Sequence, residues 1–213
     1  MTWQKNFDGG LNLKIYLTRH GETKWNVEKR LQGWGDSPLT KNGIEKAHLF
    51  KDLVKDVDFD AIYTSDQKRA IETAKIIRDR KAILIIQDKR LRELGFGGWE
   101  GLTLDEIKEN DKELFETYLN DPLLYKPKSG ETISDLFKRL HLILDEIEKN
   151  QGENILIVSH GVTIRAIIAI LKDYEIEEYK KTPVYQGASL SIFEKKDGAW
   201  VSLLEGDTSH FKD

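Results

Sequence analysis

Short, mostly apolar runs alternate along this chain with stretches of helical spacing, and that alternation restricts the fold more than any other feature. Residues 13–18, 61–64, 82–86 and 154–158 form β-leaning runs in which apolar side chains follow one another. Strands covered on both faces read this way, whereas a strand with one wet face alternates polar and apolar. Residues 40–54, 67–78, 132–149 and 162–171 instead repeat apolar positions every three or four residues, as one buried face of a helix requires. Ala70, Ala74 and Ile77 share such a face. Residues 102–125 are helical but broken and acidic up to Asp121-Pro122, which predicts an excursion off the sheet. Two β-rich stretches, 188–194 and 200–205, close the chain. The pattern predicts an α/β fold: a three-layer sandwich with a mostly parallel central sheet and helices on both faces.

No Pro-, Gly- or Ser-rich stretch interrupts the 213 residues, so a single domain over 1–213 is expected. Residues 1–12 read as an N-terminal extension, and about 102–130 as a helical lid over the site. The net charge of -4 comes from intermixed acids and bases, with no basic run to track a nucleic-acid backbone. Cysteine is absent, which removes disulfide and thiolate chemistry. The first twelve residues carry no apolar run of the secretory kind. The most apolar segment, 164–171, is interrupted by Arg165 and too short for a bilayer. Neither nucleic acid nor membrane is expected as a partner, the expected location is the cytoplasm, and the expected state is a monomer or homodimer.

In parallel sheets ligands bind beyond the carboxyl ends of the strands, and two histidines fall there. Arg19-His20-Gly21 follows the first apolar run, and Ser159-His160-Gly161 follows the run at 154–158 and precedes a helix. If those strands are neighbours the imidazoles converge, with a helix N-terminus beneath them offering amide donors to an anion. A neutral imidazole attacks phosphorus if one ring nitrogen is held as a donor and the other keeps its lone pair. Such a reaction needs guanidinium forks for the phosphoryl oxygens, for which Arg19 and Arg69 are candidates. It also needs a carboxyl to protonate the leaving oxygen; Glu93 is the first candidate and Glu100 its competitor, both beside a glycine-rich turn. His160 would add a further contact to the phosphoryl oxygens. Nothing in this scheme requires a metal or other cofactor. His48 and His141 lie within helical patterns, where packing accounts for them, and Trp25, Trp34 and Trp99 read as packing before pocket wall.

The run from Leu17 through Arg19-His20-Gly21-Glu22-Thr23 and Asn26 to Gln32-Gly33-Trp34 resembles the nucleophile signature of the histidine phosphatase superfamily, the phosphoglycerate mutase-like proteins. Arg69-Ala70, Glu93 and Ser159-His160-Gly161 follow in that family's order. The resemblance implies His20 as nucleophile, Arg19, Arg69 and His160 as the phosphate pocket, and Glu93 as proton donor. It places Asn26, Gln32, Thr23 and Gly161 on the substrate side. Departures separate the chain from the cofactor-dependent mutases: residues 102–128 contain no Arg, Val162 follows the second His-Gly, and Leu94-Gly95-Phe96 follows Glu93. The chain is most similar to the PhoE-like broad-specificity phosphatases, with the ribazole phosphate phosphatases nearby. The expected activity is hydrolysis of small phosphomonoesters to inorganic phosphate. A mutase, and a binding protein that captures phosphorylated ligands without turnover, are the alternatives.

Overall fold

Strands β1 (Lys14–Arg19), β2 (Ala61–Thr64), β3 (Leu84–Gln87), β4 (Asn154–Ser159), β5 (Leu190–Lys196) and β6 (Ala199–Asp207) form one sheet in the order β3-β2-β4-β1-β5-β6. This is the architecture of a computed structural model that describes residues 13–149 and 152–211; the expected extension at 1–12 lies outside them. Four strands, β3, β2, β4 and β1, run parallel, and β5 joins β1 antiparallel, with β6 antiparallel to β5. β4 sits between β2 and β1, in a register that sets Arg19 beside Ser159. The residues that follow these two positions, His20 and His160, therefore leave adjacent strands at the same level.

Side chains alternate across the sheet as the pleat demands. Ile15, Leu17, Ile155 and Ile157 join one apolar cluster, and Tyr16, Ile62, Leu156 and Val158 join the other. The first cluster is closed by α6 (Ile133–Lys149) and α7 (Gly161–Leu171). In α6 the buried residues Ile133, Leu136, Phe137, Leu140, Ile143, Leu144 and Ile147 repeat at helical spacing, so one stripe of this helix covers the sheet. The second cluster takes Phe50 from α2 (Lys41–Leu53) and Ala70, Ala74 and Ile77 from α3 (Lys68–Arg78). Helices thus cover both faces, as expected.

Two local features differ from the sequence reading, and a third bears it out. A four-residue helix, α1 (Lys24–Val27), follows the first His-Gly turn; it is too short to show periodicity. β3 starts two residues later than the apolar run and is an edge strand, with Leu84 65% exposed, so its uniform apolarity does not signal burial on both faces. The broken helical stretch splits at Asp111 into α4 (Leu104–Asn110) and α5 (Lys112–Asn120). Among the described residues no helix is long and apolar enough to cross a membrane.

Candidate active site

Every residue expected to handle a phosphoryl group comes from the carboxyl edge of the parallel strands. Arg19 ends β1 and His20 follows it; Arg69 lies in the first turn of α3, after β2; Glu93 follows β3 through a short 3-10 turn, Lys89–Leu91; His160 joins β4 to α7. The His20 amide donates to the Ser159 carbonyl at 2.9 Å, locking the two strand ends together. The two imidazole centroids stand 5.1 Å apart.

The His20 ring is buried and polarised. Its Nδ1 lies 2.7 Å from the Gly21 carbonyl, which can only accept, so Nδ1 carries the proton. Its Nε2 faces the Arg69 Nε–H at 3.2 Å, which can only donate, so Nε2 presents a lone pair. Burial, and then the charges of Arg69 and Arg19, hold the His20 pKa well below the usual imidazole range. His160 is 0% exposed, and neither of its ring nitrogens has a hydrogen-bond partner. Burial first, then Arg69, His20 and Arg19, depress its pKa as well.

The two arginines differ in how they are held. Arg69 is 1% exposed, and its Nη1 donates to the Gly35 carbonyl at 2.6 Å and to Asp36 at 3.0 Å, while Nη2 donates to the Gly33 carbonyl at 3.0 Å. Arg19 donates from Nη1 to the Tyr185 carbonyl at 3.3 Å, and its buried Nε has no partner. A Cβ at Gly161 would crowd Val184 Cγ1 at 3.0 Å and meet Arg19 Cζ in ordinary contact at 3.4 Å, so this glycine makes room chiefly for Val184.

Glu93 corrects one expectation. The first amides of α7 do face an anion, but it is the protein's own: Glu93 accepts from Val162 N at 3.2 Å and Thr163 N at 3.1 Å, as well as from Leu94 N at 3.0 Å. The helix terminus orients a carboxylate in place of holding a ligand directly. Glu100, the competing acid, accepts from Trp34 N, Gly35 N and Phe96 N at 2.9, 3.2 and 3.1 Å, which shapes the loop cradling Arg69. It does not line the cavity.

That cavity, about 330 Å³, is lined by Arg19, His20, Arg69 and Glu93, and by Asn26, Gln32 and Gly161. The buried Gln32 Oε1 has no partner. Thr23 is a second correction: it is fully buried, outside the cavity wall, and caps α1 in a reciprocal box with Asn26. The opposite wall carries residues that sequence reasoning did not single out. Phe96, Leu104, Phe115, Tyr118, Leu119 and Val184 line it, together with Arg30. The spacing of Phe115, Tyr118 and Leu119 reads as one face of α5, but periodicity does not say what that face covers. Arg30 is already engaged by Glu28 at 3.0 Å, Glu106 at 3.3 Å and the Gly101 carbonyl at 2.8 Å. The three tryptophans lie outside the wall; Trp34 donates to the Glu93 carbonyl and Trp99 to Asp111, both at 3.0 Å.

One imidazole, two guanidiniums and a carboxylate on the wall of one cavity, with the His160 ring buried behind them against His20, define a class. The pattern of the histidine phosphatase superfamily (branch 1) matches residues 15–208, and the chain belongs to that family. A Yersinia pestis protein named "Probable phosphoglycerate mutase GpmB" is 33% identical over 204 residues, covering 93% of this chain and 94% of its own length. The solved structure of YhfR from Bacillus stearothermophilus superimposes with a TM-score of 0.88 at 43% identity, covering 93% of this chain and 98% of that one. The α-ribazole phosphatase of Shigella flexneri superimposes with a TM-score of 0.85 at 27% identity, over 92% and 96%.

Proposed function

We propose that this protein is a phosphoric monoester hydrolase that passes the phosphoryl group of a small-molecule ester through His20 to water. The observation that carries the reading is the His20 ring, fixed through Nδ1 with its Nε2 unprotonated and accepting from Arg69, on the wall of a cavity that it shares with Arg19, Arg69 and Glu93.

In the first step Nε2 bonds to phosphorus as the ester P–O bond breaks, and Glu93 delivers a proton to the departing alkoxide. In the second, Glu93 takes a proton from the water that attacks the phosphohistidine, so one carboxyl serves both directions. Inorganic phosphate leaves and His20 is regenerated. Arg19 and Arg69 take the charge spread over the equatorial oxygens, and an N–H of His160 donates to one of them. In this scheme protein groups alone offset that charge, without a metal ion. Asn26, Gln32 and Gly161 complete the phosphate side. The α4–α5 wall acts as the lid and meets the leaving group.

A mutase would return the phosphoryl group to a second hydroxyl of a sugar acid, and the relative named as a phosphoglycerate mutase keeps that reading in view. The lid-side wall favours hydrolysis. Its face is apolar, and Arg30, its cation, already meets two carboxylates, which leaves little to hold an acid group. An apolar wall also suits varied leaving groups, hence broad specificity, with ribazole phosphates among the fitting substrates.

The test is p-nitrophenyl phosphate turnover in EDTA by the native chain and by His20→Ala. The variant should lose on the order of 10⁴-fold or more. Equal activity would sink the phosphohistidine, loss on chelation would sink metal independence, and primer-dependent formation of 2-phosphoglycerate from its isomer would establish the mutase.

A further inference from the structure

Gln67 occupies the N-cap of α3, two residues before Arg69, yet its side chain makes no cap hydrogen bond. N-caps are normally Ser, Thr, Asp or Asn, whose side chains reach the first-turn amides. Here a distant residue caps the helix instead, as Asp36 accepts from Lys68 N at 2.8 Å. The Gln67 amide, 7% exposed, turns inward. Its Nε2 donates to the Gly33 carbonyl at 2.9 Å and the Gly35 carbonyl at 3.2 Å, and its Oε1 accepts from the Glu93 amide at 3.2 Å. Two carbonyls on one side and an N–H on the other leave a single amide orientation consistent with all three partners.

Gly33 and Gly35 are the two carbonyls that also receive the Arg69 guanidinium. One side chain therefore touches both the cradle of the buried arginine and the backbone of the carboxyl. We propose that Gln67 is a positioning residue that sets where the Glu93 carboxyl stands relative to Arg69 and His20. The proposal rests on the phosphohistidine reading above. The two ends of this bridge are not equally dependent on it. Arg69 keeps Gly33, Gly35 and Asp36 as partners without Gln67, and Glu100 still holds the amides of that loop. The Glu93 amide has no other acceptor among the described residues, so losing Gln67 leaves a buried donor unpaired and lets the Glu93 backbone shift within its remaining contacts, the carbonyl to Trp34 and Arg139 and the carboxylate to the first amides of α7. The damage falls on proton delivery more than on phosphate binding.

Leaving-group dependence reads this directly. An unactivated alkyl phosphate needs its oxygen protonated as the bond breaks, whereas p-nitrophenolate departs as the anion. In the whole chain, the near-isosteric Gln67→Met should lower kcat/KM for glycerol 2-phosphate about 10- to 100-fold, since displacing a catalytic group by an ångström costs on that order. Its kcat/KM for p-nitrophenyl phosphate and its inhibition by inorganic phosphate should stay within about threefold of native. Gln67→Glu, protonated where it faces the Gly33 and Gly35 carbonyls, keeps both a donor toward that loop and an acceptor toward the Glu93 amide, and should retain the native preference between the two esters, which supplies the measurement if the methionine variant does not fold. Equal losses on both esters, no loss on either, or a shifted preference in Gln67→Glu overturns the positioning role and leaves the phosphohistidine reading intact. A native chain inert toward both esters, or His20→Ala as active as native, overturns that reading and the proposal with it.

Discussion

The two ends of the cavity are built on different principles. At the phosphate end three groups are held mainly by backbone: Arg69 by the Gly33 and Gly35 carbonyls together with the Asp36 side chain, His20 by the Gly21 carbonyl, and the Glu93 carboxylate by the first amides of α7. At the other end the wall is mostly apolar side-chain surface from α4, α5 and the Phe96 and Val184 loops, and its one cation, Arg30, is held by Glu28, Glu106 and the Gly101 carbonyl. A preorganised polar end stabilises charge that develops during reaction, and an apolar wall rewards any ligand of suitable shape. In the proposed reaction the polar end sets the chemistry and the apolar wall leaves the leaving group open.

The sharpest attempt to break this contrast is Arg69→Lys. An ammonium keeps the charge but not the fork that engages Gly33, Gly35 and Asp36 while reaching His20. A fall in kcat/KM of about 10²- to 10³-fold on every ester tested is expected. If lysine served nearly as well, charge alone would suffice and preorganisation of the polar end would be irrelevant.

Acid lability comes next. His20 and His160 are both held well below an ordinary pKa of 6.5 by burial and by neighbouring arginines. Below pH 6.5 the unfolded chain takes up protons that the folded chain refuses, so unfolding is favoured as pH falls. The stability these rings contribute is fully present above 6.5 and is lost progressively toward their depressed folded values. The slope should approach about 1.4 kcal/mol per pH unit for each histidine, read by denaturant unfolding between roughly pH 6.5 and 5. His160→Gln should remove about half of it. Saturating phosphate should flatten it, because a bound anion favours the protonated rings. A slope unchanged by both would mean that other groups govern the acid limb.

How much of this was legible in the sequence follows the same division. Strand ends fix backbone position: Arg19, His20 and His160 lie at or just after an apolar run and Arg69 in the first turn of the helix that follows one, so strand-helix alternation brings these together, whereas Glu93, six residues past β3, was marked only by the glycine-rich turn beside it. The cavity wall is different. Phe115 and Leu119 have the spacing of a helix face, but which surface α5 covers depends on where the expected break falls, at Asp111, and on tertiary packing, which local spacing does not give. Gln67 was equally hidden, because its partners Gly33, Gly35 and Glu93 lie 34, 32 and 26 residues away in sequence. Glu100 illustrates the converse: its place in a glycine-rich turn suggested chemistry, and only the three amides it accepts from show that it shapes a loop.

The apolar wall can be tested by trimming it. Leu119, 48% exposed at the rim, and Phe115, 7% exposed and deeper, both line the cavity. Phe115→Ala should lower kcat/KM for an aryl ester about tenfold relative to a short alkyl ester, with Leu119→Ser nearer threefold, since removing a few buried methylenes from a pocket costs about 1–3 kcal/mol. Inhibition by inorganic phosphate should not change, as it reports only the polar end. A parallel loss of phosphate binding would show that the two ends are mechanically coupled.

The smallest expected effect lies at Thr23, where sequence resemblance and structure disagree. The residue sits within the nucleophile signature, three positions from His20, yet its hydroxyl contacts Asn26 at 3.0 Å and accepts from the Asn26 amide at 3.3 Å. Its role is then to hold α1 so that Asn26 reaches the cavity. Thr23→Ala should cost about 1 kcal/mol, the usual value of an N-cap, and lower Tm by about 2–4 °C in a chain of this size. Thr23→Ser should restore most of it. Because Asn26 still lies on the wall in either variant, kcat/KM should stay within about threefold of native. A loss of tenfold or more without a change in Tm would move Thr23 from scaffold to phosphate contact, and would extend the polar end of the cavity one helical turn beyond His20.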